Sequence, residues 1–269
     1  MVNSQELEDL YSDCLQFITS GTWIPAFAGM TIHMTEKNDK ILGVRIDNLS
    51  KEEILNKVEG FLEEEKFHQI ATVNPEFILE AQDNPKFKDI LNDCALNVAD
   101  GFGVRCAFWR HGWHLKLRMA GADLLQEILK IVNKKKLKIF LAINKDGLSN
   151  FEEIKKAILK IYPDLQVDGA DFKKNIVNYE LPLAYSVFFC NFGAPMQEIF
   201  LNSQKDARIR LAMGVGGSFD FLTGKIRRAP VFMRYIGLEW LWRVAQQPKR
   251  LPRILRATIL FPIKVLFYD

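Results

Sequence analysis

The sequence predicts an α/β fold: a largely parallel sheet flanked by helices, Rossmann-like in layout, with a basic helical appendage at the C-terminus. Three observations predict it. Short apolar runs alternate with amphipathic stretches of helical period, the signature of a parallel sheet covered on both faces. Four of these runs pass directly into polar or glycine-bearing turns. Basic residues collect at one end: residues 225–264 hold ten Lys or Arg against one acid, Glu239, a local +9 in a chain whose total is only +3. At 269 residues the chain is long enough for one large domain with a sizeable core.

Taken in order, residues 1–39 mix Gly, Pro and polar residues without a clean period. They are expected to form a poorly ordered extension, with Met34 a candidate start. The catalytic α/β domain is expected over 40–224. "SKEEILNKVEGFLEEE" begins a helix, with Ser50 and Glu53 spaced as a capping box. "HQIATV" (68–73) and "ALNVA" (95–99) read as buried strands, and "GADLLQEILKIVNKKK" as the helix that leads to the strand "LKIFLAI" (137–143). "SNFEEIKKAILKIYP" repeats the helical pattern, with Ser149 and Glu152 as a second capping box. "LQVDGA" (165–170), "YSVFFCNF" (185–192) and "RIRLAMGV" (208–215) complete the set of buried strands. Residues 225–269 form the basic amphipathic appendage.

The turns carry the chemistry. Ligands of open α/β sheets bind outside the carboxyl ends of the strands. There stand Thr72 and Asn74 of "TVNPE", Asp100 and Gly101 of "VADGFG", Gln197 and Glu198 of "GAPMQE", and Gly216, Gly217 and Asp220 of "GVGGSFD". Each has two readings. The glycines make tight turns, or let backbone N–H groups approach a phosphate. Asp100 caps the helix that follows it, or serves as a general base. Thr72 and Asn74 form turns or touch a sugar or base, and Gln197 and Glu198 cap a helix or face the crevice. The chain has no DxD motif. A diphosphate held in this crevice therefore calls for Arg, Lys or helix N-termini, and Arg118, Arg227 and Arg228 lie near glycine turns.

Other features exclude more than they propose. Cys14, Cys94, Cys106 and Cys190 are scattered with no CxxC pair and read as free thiols. His111 and His114 form an HxxH with no acid or cysteine cluster behind it, which reads as polar surface rather than a metal site. No metal or cofactor is expected. No run reaches the roughly 18 uncharged apolar residues of a membrane-spanning helix, and the N-terminus lacks the layout of a signal peptide.

In order and approximate spacing, "TVNPEF", "VADGFGV", "LRMAGADLL", "FGAPMQE" and "GVGGSFDFLTGKIRRAP…LEWLWRVAQQPKR" resemble the WecG/TagA/CpsF family of bacterial glycosyltransferases. The resemblance covers roughly residues 40–255. It implies inverting, metal-independent transfer of a sugar, most commonly N-acetylmannosamine or its uronic acid, from a UDP-sugar. The implied acceptor is a polyprenyl-diphosphate-linked N-acetylglucosamine at the inner face of the plasma membrane. It also implies Asp100 as base, Arg118 as an arginine needed for activity, and Thr72, Asn74 and Gln197 as pocket residues. Met196 replaces the more usual basic residue before QE. Alternatives are another hexose donor, or a nonenzymatic membrane-associated protein that binds nucleotide sugar. A homo-oligomer is compatible with either.

The appendage fits the same expectation. From Lys249 onward the basic residues Lys249, Arg250, Arg253, Arg256 and Lys264 fall on one helical arc, and Leu251, Ile254, Leu255, Ile259 and Val265 largely on the other. Leu260 and Ile263 break the pattern, and Pro252 and Pro262 limit the helix. Such a segment suits an anionic membrane surface, or a simple surface helix, rather than nucleic acid. Arg243, Arg250, Arg253 and Arg256 are the expected contacts to membrane or diphosphate. Trp240 and Trp242 suit either the core or a lipid interface.

Overall fold

The computed structural model describes residues 39–173, 185–235 and 237–268. The first 38 residues, expected as an extension, lie outside these. The described chain opens with an antiparallel hairpin of β1 (Asp39–Ile41) and β2 (Val44–Ile46). Leu42 and Gly43 make its turn with φ of +50° and +76°, both positive as a two-residue type I′ hairpin requires. With Leu rather than Asn or Asp at the first turn position, the hairpin has no signal in the sequence.

Next come α1 (Lys51–Glu63), β3 (His68–Val73), α2 (Pro75–Asp83), α3 (Pro85–Asp93), β4 (Leu96–Ala99), α4 (Phe102–Arg110) and α5 (Gly121–Lys134). They are followed by β5 (Ile139–Asn144), α6 (Phe151–Ile161), β6 (Val167–Phe172), β7 (Val187–Cys190), α7 (Met196–Asn202) and β8 (Leu211–Gly214). Strands β3 to β8 form one six-stranded sheet of order β4-β3-β8-β7-β5-β6, parallel throughout. Five strands are buried along their whole length, which is why they read as short, mostly apolar runs without alternation. The sixth departs from expectation. β6 is an edge strand with Asp168 and Asp171 exposed, and two charges are a common guard on an unpaired edge.

The strands' two faces build separate cores. Ile70, Val98, Leu141, Phe189 and Met213 meet α1, α5 and α6 on one side. On the other, Ala71, Val73 and Ala99 meet α2, α3 and α4, while Phe140, Phe188 and Ala212 meet Phe200 and Leu201 of α7.

The capping box at Ser50 forms as expected. Its hydroxyl accepts the Glu53 N–H at 3.3 Å, and the Glu53 carboxylate accepts the Ser50 N–H at 2.7 Å. The second box is shifted by one residue. Asn150 and Glu153 cap α6, at 2.9 and 3.1 Å, in place of Ser149 and Glu152. Ser149 is drawn elsewhere: it is buried, with its hydroxyl 2.9 Å from Asp220 Oδ1 and 2.8 Å from Thr223 Oγ1.

After β8 a short turn of 3-10 helix (Gly216–Ser218) leads to α8 (Phe219–Leu222), α9 (Val231–Tyr235), α10 (Glu239–Gln246) and α11 (Leu251–Leu255). A π turn over Arg256–Leu260 joins α11 to α12 (Phe261–Tyr268). The expected apolar arc is divided here. Ile254, Phe261 and Val265 are buried, the last two within the core formed by α2, α3 and α4. Leu251, Leu255, Ile259, Ile263, Leu266 and Phe267 remain exposed. The π turn adds a residue to one turn of helix and so rotates the side chains that follow.

Candidate active site

The carboxyl edge of the sheet gathers three groups of residues. The first surrounds Asp100. Its N–H donates to Val73 O at 2.8 Å, extending the β3–β4 pairing one residue past β4. Gly101, with φ of +86°, then turns the chain into α4 and occupies the N-cap position, where no side chain caps the helix. Asp100 is thus free of its local helix. Its Oδ2 accepts the N–H of Gly121, the first residue of α5, at 3.4 Å. A Cβ on Gly121 would lie 3.0 Å from Thr72 Oγ1, and one on Gly101 would lie 3.2 Å from Pro75 and 3.7 Å from Asn74. Thr72, Asn74, Asp100, Gly101 and Gly121 therefore form one contiguous rim. Asn74 spends its side-chain oxygen on capping α2, accepting the Phe77 N–H at 3.1 Å.

The segment before α5 adds Arg118. The Met119 N–H donates to Ala99 O at 2.9 Å, which brings Arg118 alongside the end of β4. Its Nη2 donates to the backbone oxygen of Arg234 at 2.7 Å. Burial pushes the Asp100 pKa up to about 6, and Glu239 on α10 adds to the rise. The N–H groups of Gly121 and Gly101, and the charge of Arg118, oppose it. In the sequence Asp100 stands next to Gly101 but far from Arg118, Gly121 and Glu239.

The second group lies beneath β7 and β8. Gln197 and Glu198 are both buried. Gln197 Oε1 accepts the N–H groups of Gly193 at 3.0 Å and Gly216 at 3.1 Å. Its Nε2 donates to Glu198 Oε1 at 2.6 Å. A Cβ on Gly217 would lie 2.9 Å from Arg243 Nη2 and 3.4 Å from Asp220 Oδ2. Burial raises the Asp220 pKa, against the Ser149 hydrogen bond and the charges of Arg243, Arg250 and Lys225.

The third group belongs to the appendage, which lies over the other two. Arg227 acts through its backbone: its N–H donates to Gln246 Oε1, and its carbonyl accepts from Trp242 Nε1 at 2.9 Å. Arg228 clasps both oxygens of Asp123 at 2.6 Å each and stands 3.9 Å from Glu239. The Arg243 guanidinium stacks 4.9 Å above Phe221 and reaches Gly217 O at 3.5 Å. Burial lowers its pKa, while Glu239, Asp100 and Asp220 all raise it, so Arg243 lies within electrostatic reach of both of the first two groups. Arg250 is pushed down to about 10 by burial and by neighbouring Arg243 and Arg253. Arg253 and Arg256 extend away along α2, paired with Glu76 (Nε at 3.0 Å) and Asp83 (3.3 Å).

Three of these cations carry an unspent donor. The Nε–H groups of Arg228, Arg234 and Arg243 are buried without a hydrogen-bond partner. Buried donors without acceptors are costly. Arg234, Asp123 and Glu239 were not singled out from the sequence as site residues. Glu239 had a signal as the sole acid of the basic segment, and Asp123 as a charge in the first turn of a helix beside the "RMAG" turn.

The remaining candidates lie elsewhere. His111 stacks on Trp113 at 4.5 Å, and the backbone of His114 accepts from Asn48. Among the described residues no group of three or more His, Cys, Asp or Glu is placed to hold a metal ion. Cys94 and Cys190 are buried thiols. A cavity of about 500 Å³ opens at the opposite, amino edge of the sheet, lined by Lys66, His68, Asp93, Cys94 and Asn202 among others. It shares no residue with the three groups.

A parallel sheet with a half-buried carboxylate and several arginines gathered at its carboxyl edge defines an α/β protein of Rossmann-like layout. The chain belongs to the WecG/TagA/CpsF family of glycosyl transferases, whose profile matches residues 39–269. It is similar to the N-acetylglucosaminyldiphosphoundecaprenol N-acetyl-beta-D-mannosaminyltransferase of Bacillus subtilis (strain 168), 31% identical over 84% of this chain and 86% of the relative. Proteins of the same name from Bacillus spizizenii (72% of this chain, 77% of the relative) and Staphylococcus aureus strain MRSA252 (80% and 87%) are each 29% identical. The protein is a glycosyltransferase. Among its described residues no helix is long and apolar enough to cross a membrane.

Proposed function

We propose that the enzyme transfers N-acetylmannosamine from its UDP-sugar to polyprenyl-diphosphate-linked N-acetylglucosamine, with inversion and without a metal ion. One observation carries this: Asp100, held by the Gly121 N–H, lies within electrostatic reach of Arg118 and Arg243. The relatives' name supplies the sugar and the acceptor class. A related donor, such as the uronic acid of N-acetylmannosamine, would suit the same site.

In this mechanism Asp100 takes the proton of an acceptor hydroxyl. The oxygen attacks the anomeric carbon as the bond to the diphosphate breaks. UDP leaves with negative charge, which Arg118, Arg228 and Arg243 neutralise where other enzymes use a divalent cation. Thr72, Asn74, Gly101, Gly216, Gly217 and Asp220 line the substrate crevice. A pKa of about 6 leaves Asp100 ionised at pH 7 yet basic enough to accept a proton.

Membrane docking belongs to the same proposal. The exposed row of Leu251, Leu255, Ile259, Ile263, Leu266 and Phe267 would enter the lipid interface of the inner face of the plasma membrane. Arg253 and Arg256 would meet lipid phosphate. Their exposed ion pairs with Glu76 and Asp83 are worth at most about 1 kcal/mol and exchange readily.

The test is transfer from UDP-N-acetylmannosamine to a soluble diphosphate-linked acceptor, followed by product mass. Asp100→Asn should lower kcat by about 10²- to 10⁴-fold, the usual share of a general base, and near-normal turnover would remove Asp100 from that role. A chelator should leave the wild-type rate unchanged. Loss of transfer with EDTA and its return with manganese would defeat the metal-free mechanism.

A further inference from the structure

Glu198 has no evident reason to be where it is. Carboxylates are seldom wholly buried, yet Glu198 is 1% exposed, in the first turn of α7 against the last residue of β8. Room for it exists only because residue 214 is glycine: a Cβ there would lie 2.4 Å from Gln197 Nε2 and 2.5 Å from Glu198 Oε1. The backbone of Glu198 is tied to β3 through Gln69, whose Nε2 donates to its carbonyl at 3.1 Å. Its side chain meets another residue only through Oε1, by Gln197 Nε2; its own backbone N–H also favours the charge, while Oε2 is buried with no hydrogen-bond partner.

The Gln197 amide joins two turns that follow adjacent strands, since Oε1 accepts both the Gly193 and the Gly216 N–H. That arrangement works in one orientation only. Rotated by half a turn, the amide would set its NH₂ against two N–H donors. Glu198 Oε1 supplies the acceptor that holds the nitrogen on the correct side.

We propose that Glu198 is a positioning residue: by accepting from Gln197 Nε2 it orients the amide that pins the Gly193 and Gly216 turns at the rim of the crevice. It touches no substrate in this role and acts through Gln197. The effect on turnover rests on the proposed sugar transfer; the effect on the turns does not. Burial pushes its pKa up to about 8, so at neutral pH the group is mostly the neutral acid. With no donor at Oε2, burial outweighs the Gln197 amide and the residue's own N–H, and a charge there is poorly compensated. A neutral acceptor therefore suffices, and Gln should replace Glu where an apolar residue cannot.

The experiment compares full-length wild type, Glu198→Gln and Glu198→Met; Met keeps the length and volume but lacks the acceptor. Hydrogen exchange of the Gly193 and Gly216 amides is measured first. In E198M it should accelerate about tenfold or more, and in E198Q it should stay within about threefold of wild type. Sugar transfer should follow the same order, with kcat/KM at least about tenfold lower in E198M and preserved within about threefold in E198Q. Unchanged exchange in E198M, or equal acceleration in both variants, overturns the proposal. If wild type transfers no sugar while the exchange pattern holds, the reaction assignment fails and the positioning role stands.

A third readout holds if E198M does not fold. A folded-state pKa raised above the ordinary 4.5 means that stability from this site is present at low pH and lost as pH rises through about 8. At about pH 9, E198Q should melt at or above the wild-type temperature, with transfer intact. A lower Tm there, or lost transfer in E198Q, equally overturns the proposal.

Discussion

Gly101 takes the N-cap position of α4, and its left-handed φ lets the Asp100 side chain meet the start of a different helix. The sequence allowed Asp100 either a local cap or a place at a crevice, and the backbone geometry of its neighbour chose the second. The same burial that raises its pKa to about 6 sets two expectations. The rate should fall on the acid side, with kcat/KM dropping about tenfold per pH unit below that value as the base is protonated. Stability should respond oppositely. Because the folded pKa lies above the ordinary 3.8, the stability this site contributes is complete below about pH 4 and is lost as pH rises through about 6. Asp100→Asn should therefore melt at or above the wild-type temperature at pH 7 while its transfer collapses, and differential scanning calorimetry beside the transfer assay checks both.

The helix α6 presents a choice of register between two adjacent polar residues, and neither is interchangeable with the other. Asn150 completes the capping box, while Ser149 leaves the helix to hold Asp220 and Thr223. Both Ser149–Glu152 and Asn150–Glu153 satisfy the local pattern, so periodicity alone could not decide between them. The partner that decided lies 71 residues away. The two roles separate on substitution. Asn150→Ala should cost about 1 kcal/mol in denaturant unfolding and leave UDP affinity unaltered, since it removes only a cap. If Asp220 lines the crevice as proposed, Ser149→Ala should weaken UDP binding by calorimetry, because Asp220 loses the donor that fixes it. Equal UDP affinities for the two variants would detach Ser149 from the site.

Across the whole molecule, the parallel sheet brings residues from four distant turns to one edge, and the appendage closes over that edge from the other end of the chain. Its apolar residues divide between a buried face and an exposed one. Phe261 is 1% exposed within the core of α2, α3 and α4, whereas Ile259, two residues before it, is 56% exposed. Phe261→Ala should destabilise the protein by about 3–5 kcal/mol, the usual cost of emptying a buried aromatic site. The pair Leu255→Glu and Ile259→Glu should leave Tm nearly unchanged yet reduce cosedimentation with vesicles of anionic phospholipid; unaltered vesicle binding would dismiss the exposed row as a membrane face. Five of the six sheet strands were legible as short, mostly apolar runs, because strands buried on both faces need no alternation. β6 was legible as a strand but not as an edge, since edge position depends on strand order, which no local pattern encodes. The turns of the site were legible for the same reason as the strands: polar and glycine residues after apolar runs mark the carboxyl edge. By itself, then, the sequence determined the alternation of strand and helix, the excess of positive charge in the appendage and the turns that hold Thr72, Asn74, Asp100, Gln197 and Asp220. Only the tertiary structure decided that Glu239 and Asp123 meet the arginines, that the Glu198 carboxyl accepts from Gln197 within the rim, and which apolar side chains of the appendage turn inward. Those outcomes depend on through-space partners and on a single inserted residue in a helical turn, whereas periodicity records only the burial of a residue relative to its immediate neighbours.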